Sequence, residues 1–315
     1  MTNLVKLSVT LSLIFSINNV YADREAFEST YVPLAPEKIV IQNASIYDGD
    51  GGEFFETDVL VEDGKIIAIG KDLPFSNEFR VIDATGKWVT PGIIDIHSHM
   101  GVYPAPGVRT SSDGNEATSP VTADVWAEHS IWVQDPQYAL ALTGGVTAFH
   151  ILPGSANLIG GRGVTVKNLQ RVTINSMKFP DAPHSLKMAC GENPKRVYGN
   201  RGQAPSTRMG NAAGYRKSWI QAEGYLRRLN EYEEKSDEAK ELEYAPTRDL
   251  EMETLAGVLK GEILVHNHCY RADEMATMID IAKEFNYKIT AFHHGVEAYK
   301  ICLLYTSDAA DEWLR

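Results

Sequence analysis

Apolar residues are arranged in two ways along this chain, and the two arrangements predict different kinds of structure. Residues 38–47 and 58–70 alternate apolar and polar positions, and Asp63-Gly64 interrupts the second stretch. Alternation around an Asp-Gly pair is typical of a β-hairpin with a two-residue turn. Residues 23–90 are therefore predicted to form an irregular leader followed by the amino-terminal part of a small β-sandwich domain.

Beyond residue 90 the apolar runs are short and continuous, and helical patterns separate them. Strands that alternate with helices predict an α/β fold with a parallel sheet. The predicted buried strands are 92–97, 146–152, 163–168, 185–190, 262–268 and 288–294. A closed (β/α)8 barrel needs eight strands and roughly 250 residues. Residues 91–301 are therefore predicted to form an incomplete barrel of about six strands.

Three of the predicted strands end in a pair of histidines. The pairs are His97/His99, His266/His268 and His293/His294. Residues i and i+2 of a strand face the same side, so each His-x-His pair directs two imidazoles together. Neutral imidazoles are ligands for Zn²⁺ and similar divalent ions. The pattern predicts a metal site where the carboxyl ends of the strands meet.

The first histidine pair lies in a longer motif. Residues 90–101 read TPGIIDIHSHMG and follow VIDATGKWV. This run resembles the start of the metallo-dependent amidohydrolase superfamily, and the nearest branch is that of the imidazolonepropionase-related amidohydrolases, over residues 38–301. The resemblance implies a (β/α)8 TIM barrel with one or two divalent ions, zinc being the expected one. It also implies hydrolysis of amide or cyclic amide carbon–nitrogen bonds by metal-activated water.

The resemblance further implies which histidines bind the metal. His97 and His99 correspond to the pair on the first barrel strand. Relatives end the fifth strand with one His, a small residue and then His or Tyr, which favours His268 in His268-Cys269-Tyr270. Spacing alone leaves His266 and His268 open. His266 is then expected to orient a ligand rather than to bind the ion.

The remaining ligands are expected on the fourth and sixth strands. Relatives show His-Gly at the tip of the sixth strand, which matches His294-Gly295 and makes His293 an outward-facing neighbour. Lys187 resembles the lysine that becomes a carbamate and bridges two ions in binuclear relatives. Glu192 is the alternative bridge. Whether the site binds one metal ion or two remains open.

Two further features concern the surroundings of this site. The Gly-rich run 152–163 is predicted to be a loop that shapes the substrate pocket. His150 is expected to be packed rather than to bind metal.

No catalytic residue is identified, because the family's base is an aspartate on the eighth strand and residues up to 301 contain no counterpart. We therefore expect the chain as given to be inactive and its intact parent to be a hydrolase. Two alternatives remain: a metallo-dipeptidase or carboxypeptidase of the same superfamily, and a non-catalytic periplasmic protein that binds a metal or a ligand.

The two ends of the chain are predicted not to belong to the fold. Residues 1–22 contain Lys6, an apolar core over 7–17 and the small-residue pattern Val20-Tyr21-Ala22, as in a bacterial signal peptide. A periplasmic or secreted protein is expected. Residues 302–315 read CLLYTSDAADEWLR and match a translated sequencing adapter, so they are predicted to be an artefact at the end of a truncated chain.

Composition restricts the partners. The formal net charge of −12 argues against nucleic acids and anionic membranes as partners. The family resemblance implies a small-molecule substrate, and the oligomeric state stays open. Cys190 and Cys269 are widely spaced and predict no disulfide framework, and Cys302 lies in the suspected tail.

Overall fold

The computed structural model describes residues 27–305, so the predicted signal peptide and the tail beyond residue 305 lie outside the described residues. The described chain contains two sheets. The first sheet consists of β1 (Ile39–Tyr47), β2 (Glu53–Glu62), β3 (Lys65–Gly70), β4 (Arg80–Asp83) and β5 (Trp88–Val89). The second consists of β6 (Ile93–Ser98), β7 (Val146–Ile151), β8 (Ile159–Lys167), β9 (Ser185–Ala189), β10 (Leu264–His268) and β11 (Ile289–His293).

The first sheet has the order β3-β2-β1-β4, and β5 also pairs with β1. The predicted hairpin is present between the antiparallel strands β2 and β3. Asp63 and Gly64 both have positive φ angles, 51° and 71°, as a type I′ turn requires. The apolar positions of β1 and β2 supply a small core around Ala44, Ile46 and Val59. The sandwich stays a prediction, because the described strands form a single layer.

The second sheet follows the order of the sequence, from β6 at one edge to β11 at the other. It curls, since His97 on β6 touches His293 on β11, with 2.8 Å between their Nδ1 atoms. Contact between the first and last strands requires the sheet to form part of a barrel wall. Side chains alternate across this wall. Lys187 and His266 face the inside, whereas Leu186 and Val265 join the outer apolar core.

The expectation of an all-parallel sheet is wrong for the third strand. β8 pairs antiparallel with both β7 and β9, and it begins four residues earlier than predicted. Only seven residues separate β7 from β8, whereas a parallel crossover needs a dozen or more. Residues 159–163 of the predicted loop are thus strand. Gly161 has a φ of +103°, and a Cβ there would lie 2.3 Å from the carbonyl oxygen of Val125.

Helices cover the outer face of the second sheet. They are α1 (Gln137–Thr143), α2 (Glu192–Gly199), α3 (Arg208–Glu233), α4 (Asp237–Leu242), α5 (Leu250–Leu259) and α6 (Ala272–Glu284). Trp219 of α3 and Leu255 of α5 are fully buried in the largest apolar cluster. Asp249 caps α5 by accepting the backbone N–H groups of Glu251 and Met252. Among residues 27–305, no helix combines the length and apolar character needed to cross a membrane.

Cys190 and Cys269 form a disulfide, although their wide spacing in the sequence predicted no disulfide framework. Cys190 directly follows β9, and Cys269 directly follows β10. The register pairs Ala189 with His268, so the next residue of each strand lies opposite the other. A separation of 79 residues in sequence therefore becomes a contact between neighbouring strand ends.

Candidate metal centre

Seven of the nine histidines gather with Lys187 on the inside of the curled sheet. Each of these imidazoles contacts at least one other. The seven are His97, His99, His150, His266, His268, His293 and His294. They come from β6, β7, β10 and β11 and from the residues that follow these strands, as the predicted convergence of strand ends requires.

His97 and His99 are arranged as two ligands of one ion would be. Their Nε2 atoms are 3.2 Å apart. Two nitrogens that each lie about 2.0–2.1 Å from one tetrahedral ion are about 3.3–3.4 Å from each other. The Nδ1 atom of His99 lies 2.8 Å from the carbonyl oxygen of Leu152, to which it donates a hydrogen bond. This bond fixes the ring and leaves its Nε2 as an acceptor.

His268 and His294 complete the same side of the cluster. Their ring centres are 4.3 Å apart, and His294 is 4.9 Å from His97. His268 is buried, and its Nδ1 atom has no hydrogen-bond partner among the described residues. His294 lies beyond the end of β11 with a φ of +65°, a conformation that is uncommon for a residue with a side chain. This turn brings its ring back towards His268.

Lys187 is completely buried in the centre of β9, and its Nζ atom has no hydrogen-bond partner within residues 27–305. Burial lowers the pKa of this amine to about 7. Burying a polar nitrogen without a hydrogen bond destabilises the folded state, so we expect Lys187 to bind or react with a further group at this position. Glu192, the alternative bridge, is exposed in the first turn of α2. Its neighbour Asn193 is the residue that approaches His268, with 3.4 Å between Nδ2 and Nε2.

His293 does not face outward as the sequence comparison with relatives suggested. It is only 5% exposed, and its two ring nitrogens lie 2.8 Å from His97 Nδ1 and from His266 Nδ1. Ala291 and His293 lie opposite the inward-facing His266 and His268, whereas Ile289 pairs with the outward-facing Val265 across an irregularity in the register. His150 is packed as expected, with hydrogen bonds to Thr165 and Ser185.

The imidazoles of this cluster are neutral around pH 7, because the pKa of each of them is lowered. Burial is the main cause that lowers the pKa of His97 and His268 to about 3 and that of His266 to about 4. Neutral imidazoles keep the lone pairs that a cation needs. In residues 27–305 no three His, Cys, Asp or Glu side chains already surround a common point as ligands do. Several of the rings hydrogen-bond to one another instead.

Comparison with known proteins identifies the family. No family model matches the chain. It is 36% identical to the amidohydrolase tasK of Hapsidospora irregularis over 271 residues, which are 80% of this chain and 27% of tasK. A dihydroorotase of Lactobacillus helveticus is 46% identical over 74 residues, 24% of this chain and 16% of that enzyme.

A solved structure extends the agreement to the fold. The crystal structure of an amidohydrolase from Thermotoga maritima matches with a TM-score of 0.76 and 40% identity, over 84% of this chain and 66% of that one. The chain thus spans about a quarter of tasK and just under two thirds of the Thermotoga protein. Because sequence and fold agree over most of its own length, the chain belongs to the amidohydrolase superfamily.

Proposed function

We propose that this chain carries the metal centre of a hydrolase that cleaves carbon–nitrogen bonds in amides or cyclic amides. The observation that carries the proposal is the meeting of His97, His99, His268 and His294 above the buried Lys187. The similarity to amidohydrolases and to a dihydroorotase supports the reaction class. We assign the protein to the imidazolonepropionase-related branch on the TPGIIDIHSHMG motif.

The orphaned buried nitrogens of His268 and Lys187 fit a cation and an anionic bridge. His97, His99, His268 and His294 would hold one or two Zn²⁺-like ions. When bound, such an ion lowers the pKa of a water molecule and polarises a substrate carbonyl. Lys187 has the environment in which an amine is neutral and can add to CO₂, releasing a proton and becoming a carbamate. Glu192 would have to turn inward to serve as the bridge instead.

Metal content tests the ligand assignment. In the full-length protein we expect His97→Ala to lose most bound zinc, because the change removes one of two adjacent ligands. His268→Ala should also lose zinc, whereas His266→Ala should retain it with weaker affinity. Elemental analysis after dialysis, with circular dichroism to check folding, measures these outcomes. The control is His129→Ala, a change at an exposed histidine outside the cluster. Unchanged zinc in His97→Ala, or the reverse order for His266 and His268, would contradict the assignment.

A substrate panel tests the reaction. Zinc-loaded full-length protein should hydrolyse cyclic amides or simple amides in preference to dipeptides. Preference for dipeptides would favour the metallo-dipeptidase alternative. Zinc binding without hydrolysis of any member of either class would favour a binding protein. Each of these results concerns the reaction alone and leaves the assignment of the metal ligands unchanged.

The finer features of the fold and location are also proposals. We propose that the curled sheet is part of a (β/α)8 TIM barrel and that the first sheet is part of a β-sandwich. We further propose a periplasmic or secreted protein that begins at Asp23 after cleavage. The Cys190–Cys269 disulfide supports an oxidising compartment. Amino-terminal sequencing of the exported protein would reject the cleavage if Met1 were retained.

A further inference from the structure

Two further imidazoles, those of His293 and His266, form a chain of close nitrogen contacts that begins at His97. The Nδ1 atoms of His97 and His293 are 2.8 Å apart, and His293 Nε2 lies 2.8 Å from His266 Nδ1. The planes of the His266 and His293 rings differ by only 21°. The planes of the His97 and His293 rings differ by 84°, and both contacts have the N···N distance of a hydrogen bond. Both rings are nearly buried, so water does not compete freely for these nitrogens.

Counting protons fixes the tautomers that the hydrogen bonds between these rings require. A neutral imidazole has one donor and one acceptor nitrogen. His99 must donate from Nδ1 to the carbonyl oxygen of Leu152, so its Nε2 accepts. His97 must then donate from Nε2 to His99 and accept at Nδ1. His293 therefore donates from Nδ1 to His97, and His266 donates from Nδ1 to His293.

His97 and His99 would hold a cation through their facing Nε2 atoms only if the protons of His97, His293 and His266 took the opposite arrangement. His97 must lose the proton on Nε2 and carry one on Nδ1, which then donates to His293 Nδ1. His293 in turn donates from Nε2 to His266 Nδ1, and His266 carries its proton on Nε2. One proton leaves at His97 Nε2 and one enters at His266 Nε2. Each ring keeps one proton, and the net charge of the three rings does not change.

We infer that His293 and His266 form a tautomer relay that positions His97 for metal binding and keeps its Nδ1 paired with or without the ion. This inference rests on the proposed metal centre. A carboxylate behind a metal-binding histidine can only accept a hydrogen bond, whereas an imidazole can also donate one. The relay therefore keeps the Nδ1 atom of His97 hydrogen-bonded in both states. His150 packs on His266, with ring centres 4.6 Å apart, and holds the far end of the relay.

Nitrogen chemical shifts test the relay directly. In ¹⁵N-labelled full-length protein, long-range ¹H–¹⁵N spectra are recorded after metal removal and after addition of zinc. The protonated nitrogen of His293 and of His266 should move from Nδ1 to Nε2, while that of His99 stays at Nδ1. Zinc binding with unchanged tautomers at His293 would overturn the relay alone. Failure of the unmodified protein to bind zinc would overturn the metal centre and the relay together.

Cadmium substitution separates a relay residue from a ligand. With ¹¹³Cd in place of zinc, scalar coupling should appear at the Nε2 atoms of His97 and His99 and be absent at His293. Coupling to His293 would make it a ligand and would overturn the relay.

Substitutions at His293 provide the affinity test. His293→Phe keeps an aromatic ring but removes both hydrogen bonds, so the zinc dissociation constant should rise about 10–100-fold. His293→Gln can both accept and donate, and it should recover part of that loss. The control His129→Gln should bind zinc as the unmodified protein does. Calorimetric titration measures all four proteins, and unchanged affinity in folded His293→Phe would reject the positioning role.

Discussion

At the scale of single residues, Glu251 is a carboxyl group in an unfavourable environment outside the metal centre. It occupies the first turn of α5 and is half-buried. Burial, followed by repulsion from Asp124 and Asp249, raises its pKa to about 7. Because the folded state binds the proton more tightly than the unfolded state, ionisation costs stability. The full cost applies above about pH 7 and disappears below the ordinary pKa of a glutamate.

We expect Glu251→Gln to stabilise the protein at pH 8 by about 1 kcal/mol, a figure reduced for solvent screening of a half-buried group. At pH 4 the change should have little effect, because the carboxyl group is then protonated in both states. Urea denaturation at the two pH values measures the difference.

The matched control is Glu238→Gln in the first turn of α4. This exposed carboxyl group accepts a hydrogen bond from Ser236, which lowers its pKa. It should therefore not gain stability at pH 8. An equal gain in both variants would assign the effect to net charge and contradict the local explanation.

His293 and His294 show what sequence reasoning can and cannot assign at this scale. Side-chain alternation and the His-x-His spacing correctly bring His97, His99 and His268 into one cluster. Alternation stops at the end of β11, where the left-handed conformation of His294 reverses the chain direction. Both neighbouring histidines therefore face the cluster. No spacing rule predicts this result, because it depends on one backbone dihedral.

At the scale of secondary-structure elements, the Cys190–Cys269 disulfide joins the ends of β9 and β10 beside the metal centre. Removing the link by Cys190→Ala with Cys269→Ala should cost about 2–4 kcal/mol, because it frees a long loop in the unfolded chain. Urea denaturation measures the loss, and zinc affinity shows whether His268 shifts. Cys302→Ala is the control and should have a small effect.

Thiol counting checks the premise of that experiment. If the disulfide forms, Cys190 and Cys269 should not react with thiol reagents in the denatured, unreduced protein. Reaction of both residues in material purified without reductant would show that the link does not form.

Strand positions were predictable to within a few residues, but strand direction was not. The runs at 92–97, 146–152, 185–190, 262–268 and 288–294 correspond closely to β6, β7, β9, β10 and β11. A buried strand has the same apolar pattern whichever way it runs. For β8 the deciding fact is the connection from β7, which is too short for a parallel crossover.

At the scale of the whole molecule, the match to the Thermotoga amidohydrolase and the curled sheet agree with the superfamily inferred from one motif. The motif was informative because it combined a buried strand with two ligands at its end. The disulfide and the contact between His97 and His293 were harder to predict. Both join residues far apart in sequence, and both depend on strand order and register, which local patterns do not encode.

The reversal of β8 has a consequence for how this chain folds. β7 and β8 pair across a turn of seven residues, whereas β6 and β7 pair only after 47 intervening residues have been ordered. Closing a short loop costs less entropy, so the hairpin is the low-contact-order part of the sheet. Val166→Ala, in β8, should therefore slow folding, with a φ-value near 1. Val265→Ala, a matched change of a fully buried valine in β10, should mainly speed unfolding. Stopped-flow kinetics distinguish the two, and equal φ-values at both sites would contradict an early hairpin.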